Sequence, residues 1–102
     1  MRSFKLDDVA RDEFGDEAAW YERQCEGLGL DFLAEIDRVL ALIEHRDEFV
    51  TAPVARFEGF VVRRELVRRF PYLVIFVETH ELRRVIMIRR DNSAPAIWRS
   101  RI

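Results

Sequence analysis

The hydrophobic positions change period along the chain. Ala10, Phe14, Ala18 and Tyr21 recur at spacings of three and four, and Cys25 continues the row. That spacing places them on one stripe of an α-helix running from about Val9 to Gln24. Asp7 or Asp8 can cap it by accepting the N–H groups that a first turn leaves without partners. Gly15 weakens this helix without forbidding it. The segment "EGLGLD" at 26–31 breaks the pattern. Gly27 or Gly29 can take the positive φ that ends a helix, and Asp31 can cap the next one. Phe32, Leu33, Ile36, Leu40 and Ile43 predict that second helix, with Val39 and Leu42 widening its stripe. Asp31, Glu35 and Asp37 lie near its start, where the helix dipole favours negative charge. The short link makes the pair an antiparallel hairpin.

Elsewhere the chain reads as strands. Phe4–Leu6 predicts a short strand ahead of the hairpin, and residues 47–59, with Pro53, predict an irregular connection. Three strands are expected after it, at Phe60–Arg69, Tyr72–Glu78 and Arg84–Arg90. Val, Ile, Phe and Tyr dominate them, as pleated sheets prefer. Pro71 marks a turn between the first two, because it cannot donate to a central ladder. "ETHELR" at 78–83 reads as the next hairpin connection, and the tail "NSAPAIWRSRI" has no clear period. The expected fold is α+β: an N-terminal strand, an antiparallel helical hairpin, then a three-stranded antiparallel meander packed on the helices.

Composition narrows the class. A chain of 102 residues, 49% of them hydrophobic, fits one domain (1–102) with one core. A single cysteine excludes an internal disulfide framework and a Cys-rich zinc site. The first residues, "MRSFKLDDVARDEF", hold no apolar signal-peptide core, and no apolar run is long enough to span a bilayer. A cytoplasmic protein with no membrane partner is therefore expected. The net charge of −2 hides an asymmetry: residues 1–60 sum to −8 and residues 61–102 to +6, the latter on arginine alone. Either the halves neutralise each other inside the fold, or the basic half meets an acidic partner or nucleic acid. Arg63 and Arg64 are neighbours on an expected strand, as are Arg68 and Arg69, so one of each pair should face away from the helices. With Arg84, Arg89 or Arg90 beside them, a basic sheet surface is expected there.

Little else carries chemistry. His45 and His80 are isolated in sequence and expected to face solvent. Cys25 is expected to pack as a small hydrophobe rather than act as a nucleophile. Asp7, Asp8, Asp12, Glu13, Asp16 and Glu17 read as a solvated helix face, since nothing imposes the convergent geometry of a metal site. Tyr21 is expected in the core with its hydroxyl at the rim, and Trp20, about 100° around the helix, at the core's edge or in an interface. Trp98 either covers the sheet or belongs to a partner site. There is no Gly-rich phosphate loop, and no cofactor, metal or catalytic group is expected.

Taken together, "ARDEFGDEAAWYERQ" (10–24), "GLGLDFLAEIDRVLALI" (27–43), "VRRELVRRFPYLVIF" (62–76), "RRVIMI" (83–88) and "PAIW" (95–98) resemble the RelE/ParE superfamily of bacterial type II toxins. The likeness runs almost end to end and is closer to the ParE-like branch. It implies a small cytoplasmic toxin neutralised by a cognate antitoxin, whose segment lies across the basic sheet surface. RelE-like members cut mRNA on the ribosome, whereas ParE-like members inhibit DNA gyrase. The resemblance places the nuclease groups at an arginine after the third-strand tyrosine, an arginine after the last strand, and an aromatic near the C-terminus. Here these are Leu73, Asn92 or Ser93, and Trp98. Two of the three types are missing, although Arg89 or Arg90 could stand in from a neighbouring position. The resemblance therefore implies a gyrase-directed toxin, with Arg63, Arg64, Arg68, Arg69, Arg84, Arg89, Arg90, Trp98 and Arg99 facing the antitoxin or target. A homodimer or a higher-order toxin–antitoxin complex stays open, and direct nucleic-acid binding is expected only through that complex. The alternatives are a ribosome-dependent nuclease and a detoxified relative that only binds antitoxin.

Overall fold

The structure, a computed structural model, describes residues 2–91 and 96–102. Its elements in chain order are β1 (Ser3–Leu6), α1 (Asp8–Gln24), α2 (Leu28–His45), β2 (Ala55–Phe57), β3 (Phe60–Leu66), β4 (Tyr72–Glu78) and β5 (Leu82–Arg90), followed by a 3₁₀ turn over Ile97–Arg101. The fold is α+β. The strands form one five-stranded sheet in the order β1-β5-β4-β3-β2. β2 to β5 run antiparallel to their neighbours, and β1 joins the far side parallel to β5, Ser3 opposite Leu82 and Leu6 opposite Val85.

The helices form where the apolar stripe predicts. Ala10, Phe14 and Ala18 of α1 and Phe32, Ile36, Val39 and Ile43 of α2 are buried against Tyr72, Val74, Phe76, Val85 and Ile88 of the sheet. An aromatic nest of Tyr21, Phe32, Phe70 and Tyr72 closes one end, with ring centroids 4.9–6.2 Å apart. The link between the helices is tight. Gly27 is left-handed (φ 88°), and a Cβ on Gly29 would stand 2.5 Å from the Ala18 carbonyl oxygen. Glu22 of α1, rather than Asp31, satisfies the start of α2: its carboxylate accepts the N–H groups of Gly27 (2.8 Å) and Gly29 (3.0 Å). Asp31 lies in the first turn of α2.

Several expectations are corrected. Cys25 is exposed, because the helix ends before it and it becomes the C-cap in an extended conformation. Leu33 is exposed as well, on the flank of the α2 stripe. Residues 55–57, expected to be irregular, pair with β3, so the antiparallel part has four strands rather than three, and the sheet is mixed. The strand expected to reach Arg69 stops at Leu66. Val67 and Phe70 both turn into the core beneath the helices, which alternation along a strand cannot do, and Arg69 takes a left-handed φ of 72° to allow it. Pro71 does sit between β3 and β4, its carbonyl accepting the Asp91 N–H.

A β-bulge decides which residues face where. Ile75 pairs with Met87 and Phe76 with Val85, so Ile86 is the extra residue of β5. Ile86 and Met87 consequently both face away from the helices, and alternation is reset beyond them. Below, the outer face means this helix-free side, lined by Val62, Leu73, Ile75, Ile86 and Met87.

The most charged part of the interior lies at the other end of the sheet. Arg83 is 2% exposed. Its Nε donates to Glu78 (2.7 Å), and its Nη groups donate to the carbonyls of Ile43 (2.9 Å), Arg46 and Asp47 (2.9 Å). Arg63 binds the other oxygen of Glu78 at 2.9 Å and reaches the Thr51 carbonyl at 2.8 Å. Burial alone would push the Glu78 carboxyl up, but the hydrogen bonds from Arg63 and Arg83 outweigh it and hold its pKa below the ordinary 4.5.

Two outcomes follow. Glu78→Ala leaves Arg83 buried beside no carboxylate and is expected to cost about 3–5 kcal/mol in urea unfolding. Because the folded-state pKa of Glu78 is depressed, its stabilisation is complete above the ordinary value of 4.5 and is lost as pH falls through the folded value. A pH series of thermal melts should show that acid-side decline in the native chain and a flatter one in Glu78→Gln.

Candidate functional site

The sequence-predicted basic residues do not share one surface. Cross-strand register puts Arg64 beside Ile75, Arg84 beside Val77 and Arg89 beside Leu73, all on the outer face. Arg63 pairs with Phe76 and Arg90 with Tyr72, on the helix side. Without the bulge, alternation would exchange the faces of Arg89 and Arg90. Arg68 and Arg69 lie in the exposed turn before β4, where Arg69 approaches Asp31 at 3.5 Å and covers the Phe70 ring. Of the two pairs expected to divide between faces, Arg63 and Arg64 do so and Arg68 and Arg69 do not.

On the helix side, Arg90 stands over the rings of Trp20 and Tyr72, 5.9 and 5.3 Å from their centroids. Trp20 is 41% exposed and meets Tyr21 edge-on, so it borders the core rather than entering it. The Tyr72 hydroxyl donates to Glu17. Burial, and then the Glu17 carboxylate, raise the Tyr72 pKa, so this hydroxyl stays protonated and serves as a donor rather than a base.

The centre of the outer face is apolar. Leu66 and Leu73 are direct cross-strand partners. Leu73 is buried and Leu66 is 59% exposed. Trp98, at 3% exposed, packs with Val62, Leu73, Ile75, Ile86 and Met87, so of its two expected roles it takes that of covering the sheet. Phe57 meets Trp98 edge-on and stacks on Phe60 at 4.8 Å. Arg99 lies over the outer side of Trp98, 5.0 Å from its ring. The result is an apolar strip, with Leu66, Phe57 and Ile97 accessible, edged by Arg64, Arg84, Arg89 and Arg99. Asn92 and Ser93 lie outside the described residues.

The tail that carries Trp98 is held from behind. Arg101 forks onto both oxygens of Glu13 (2.7 and 3.0 Å) and donates to the Ile86 carbonyl (2.9 Å). Glu13 also accepts the Ile88 N–H at 3.3 Å. β1 covers β5 only as far as Val85, so these two side chains serve backbone groups that no strand reaches. Arg84 ties the same corner together, its Nη2 donating to the Arg101 carbonyl (2.7 Å) and its Nε lying 3.1 Å from Asp7.

The acidic residues of α1 are thus not a uniformly solvated face. Asp8, Asp12 and Asp16 are exposed, while Asp7, Glu13 and Glu17 turn to the sheet. Sequence reasoning missed this. Its available signal was that Glu13 and Glu17 each precede a buried stripe residue, Phe14 and Ala18. It also missed Arg83, which sits among other arginines and is the one fully enclosed. His45 and His80 face solvent, as expected, and line one cleft. Among the described residues no group of three or more His, Cys, Asp or Glu could hold a metal ion, and no helix is long and apolar enough to cross a membrane.

No protein-family model matches the chain, and no curated protein matches it.

Arg101→Ala removes the fork that holds the tail. In a Trp20→Phe background, which leaves Trp98 as the only indole, this change should shift the emission to longer wavelength and raise acrylamide quenching. Unchanged emission would mean that packing alone retains Trp98.

Proposed function

We propose that the chain is the toxin of a type II toxin–antitoxin pair, ParE-like, acting in the cytoplasm on DNA gyrase and neutralised by a cognate antitoxin bound across the outer face. The observation that carries this reading is the Leu66–Leu73 pair on that face, the last pair of the β3–β4 ladder before the Arg69 turn. The resemblance puts an arginine of the nuclease branch at Leu73. An aliphatic pair cannot stabilise the charge that grows on a scissile phosphate, and losing one such group typically costs roughly 10²–10³ in rate. Trp98 adds support, since an indole packed into the sheet cannot stack on a base without leaving its place. The order of N-terminal strand, helical hairpin and antiparallel strands supports the RelE/ParE-like fold.

An apolar strip edged by arginines suits a protein segment with apolar residues on one side and carboxylates on the other. Buried apolar contacts supply affinity, and the arginine forks select acidic neighbours. A free sheet edge offers a second mode, since an extended segment can pair with the outer side of β2.

One observation favours the nuclease alternative: Arg89 is the direct cross-strand partner of Leu73, so a cation stands next to the vacated position. If it serves there, primer extension on translated mRNA will show discrete cuts that Arg89→Ala abolishes.

The ParE-like reading predicts otherwise. Purified protein should inhibit gyrase supercoiling in vitro and leave mRNA ends unchanged. Supercoiling at the control rate would remove gyrase as the target. Coexpression with the product of the adjacent gene should give a stable complex. Leu66→Asp, on a side chain already mostly in water, should change folding stability by no more than about 0.5 kcal/mol. It should weaken that complex by about 2 kcal/mol or more, roughly thirtyfold, in titration calorimetry. Retained affinity would move the antitoxin off the outer face.

A further inference from the structure

A second site lies at the opposite end of the sheet from the Arg69 turn. A cleft of about 400 Å³ opens between the end of α2 (Glu44, His45, Arg46 and Asp47), His80 in the turn between β4 and β5, and Arg2 at the start of β1, with Arg83 below. Its volume lies within the range typical of small-molecule sites, roughly 300–1,000 Å³, but its chemistry is unlike most of them. Every side chain lining it is charged or an imidazole.

Around the cleft the guanidiniums of Arg2, Arg46, Arg63 and Arg83 face the carboxylates of Glu44, Asp47 and Glu78, an excess of one positive charge. Glu78 alone answers three guanidiniums: Arg83 at 2.7 Å, Arg63 at 2.9 Å and Arg2 at 3.8 Å. Their remaining contacts are to neutral carbonyls, which orient a guanidinium without cancelling its charge. Two of those carbonyls, of Ile43 and Arg46, belong to the end of α2, so Arg83 meets part of the negative end of the helix dipole. Arg2 uses Nε on Thr79 and Nη1 on Asp47, and Nη2 takes no part in these bonds. Arg46 is exposed at the rim, its guanidinium over Phe49. Glu44 and Asp47 are the acids of the lining. Glu44 lies 3.7 Å from His45.

We propose that this cleft binds a small, multiply charged oxyanion, with Arg2 and Arg46 supplying the cations and His45 and His80 supplying imidazole donors from opposite walls. The shared chemistry is that of a polyphosphate or a di- or tricarboxylate, since planar guanidinium forks match both. The site is distinct from the outer face and does not depend on the toxin reading.

Calorimetric titration of the whole chain with pyrophosphate and with citrate, at ionic strength held constant with sodium chloride, tests the proposal. Saturable one-site binding of at least one anion is expected, and the tighter of the two identifies phosphate or carboxylate as the natural chemistry. The Arg46→Gln/His80→Gln double variant should bind at least tenfold more weakly, while Arg23→Gln, on the exposed last turn of α1, should bind as the native chain does. Amide chemical shifts of the native protein should move at residues 44–47 and 79–81 on titration. No heat beyond dilution with either anion overturns the proposal, as does equal binding by the double variant or a shift pattern centred elsewhere.

Discussion

A guanidinium that has lost nearly all contact with water must have its donors met by protein, and for Arg83 that requirement reaches into four parts of the chain. Its carboxylate comes from β4, its carbonyls from the last turn of α2 and the residues after it, and its backbone sits in β5 beside β1. None of these can move alone. If α2 ended a turn earlier, the Ile43 carbonyl would be misplaced. If β4 slipped one residue against β5, Glu78 would turn to the other face. A cluster of this kind is weak evidence for high stability, because hydrophobic residues of equal volume often do as well. Its contribution here is to fix where the helix ends and how the strands align.

The charge asymmetry of the chain resolves largely within the fold. Acids of the first half meet basic residues of the second at Glu13–Arg101, Asp7–Arg84 and Asp31–Arg69. These contacts join α1, α2 and the turn before them to the sheet and tail, so the sequence halves are held together by opposite charge as well as by the core. The basic groups bordering the outer face include Arg84, itself part of this pairing. In the proposed toxin, the apolar strip between them would carry most of the binding energy, and the arginines would set which partner fits.

Both helices were legible because each has a clean period, and the three long strands because Val, Ile, Phe and Tyr dominate them. β2 was not, because three residues beside Gly59 are too few for a pattern, and its pairing is imposed by the neighbouring β3. The end of β3 was misread because Val67 and Phe70 look like strand residues, yet they enter the core from a turn. The bulge left no mark in "VIMI", where every residue is apolar and either face is chemically acceptable, so the faces of Arg89 and Arg90 could not be assigned. For the candidate site, Leu73 and the arginines of the outer face were found by resemblance and alternation. The cleft with His45 and His80 was invisible, because only the meeting of α2 with the β4–β5 turn creates it.

The parallel pairing of β1 with β5 has a kinetic consequence. Arg2 bonds to a carbonyl 77 positions away, and Glu13 to an arginine 88 positions away. On a ribosome, the helical hairpin emerges early and can form from local contacts, but the first strand has no neighbour until residues 82–85 have been made. Closing so large a loop carries an entropic cost that must be met before the contacts repay it. Until β5 is made, the face that α1 and α2 bury against it has no sheet to meet there, so the last strand of the sheet completes both the β1 pairing and the core.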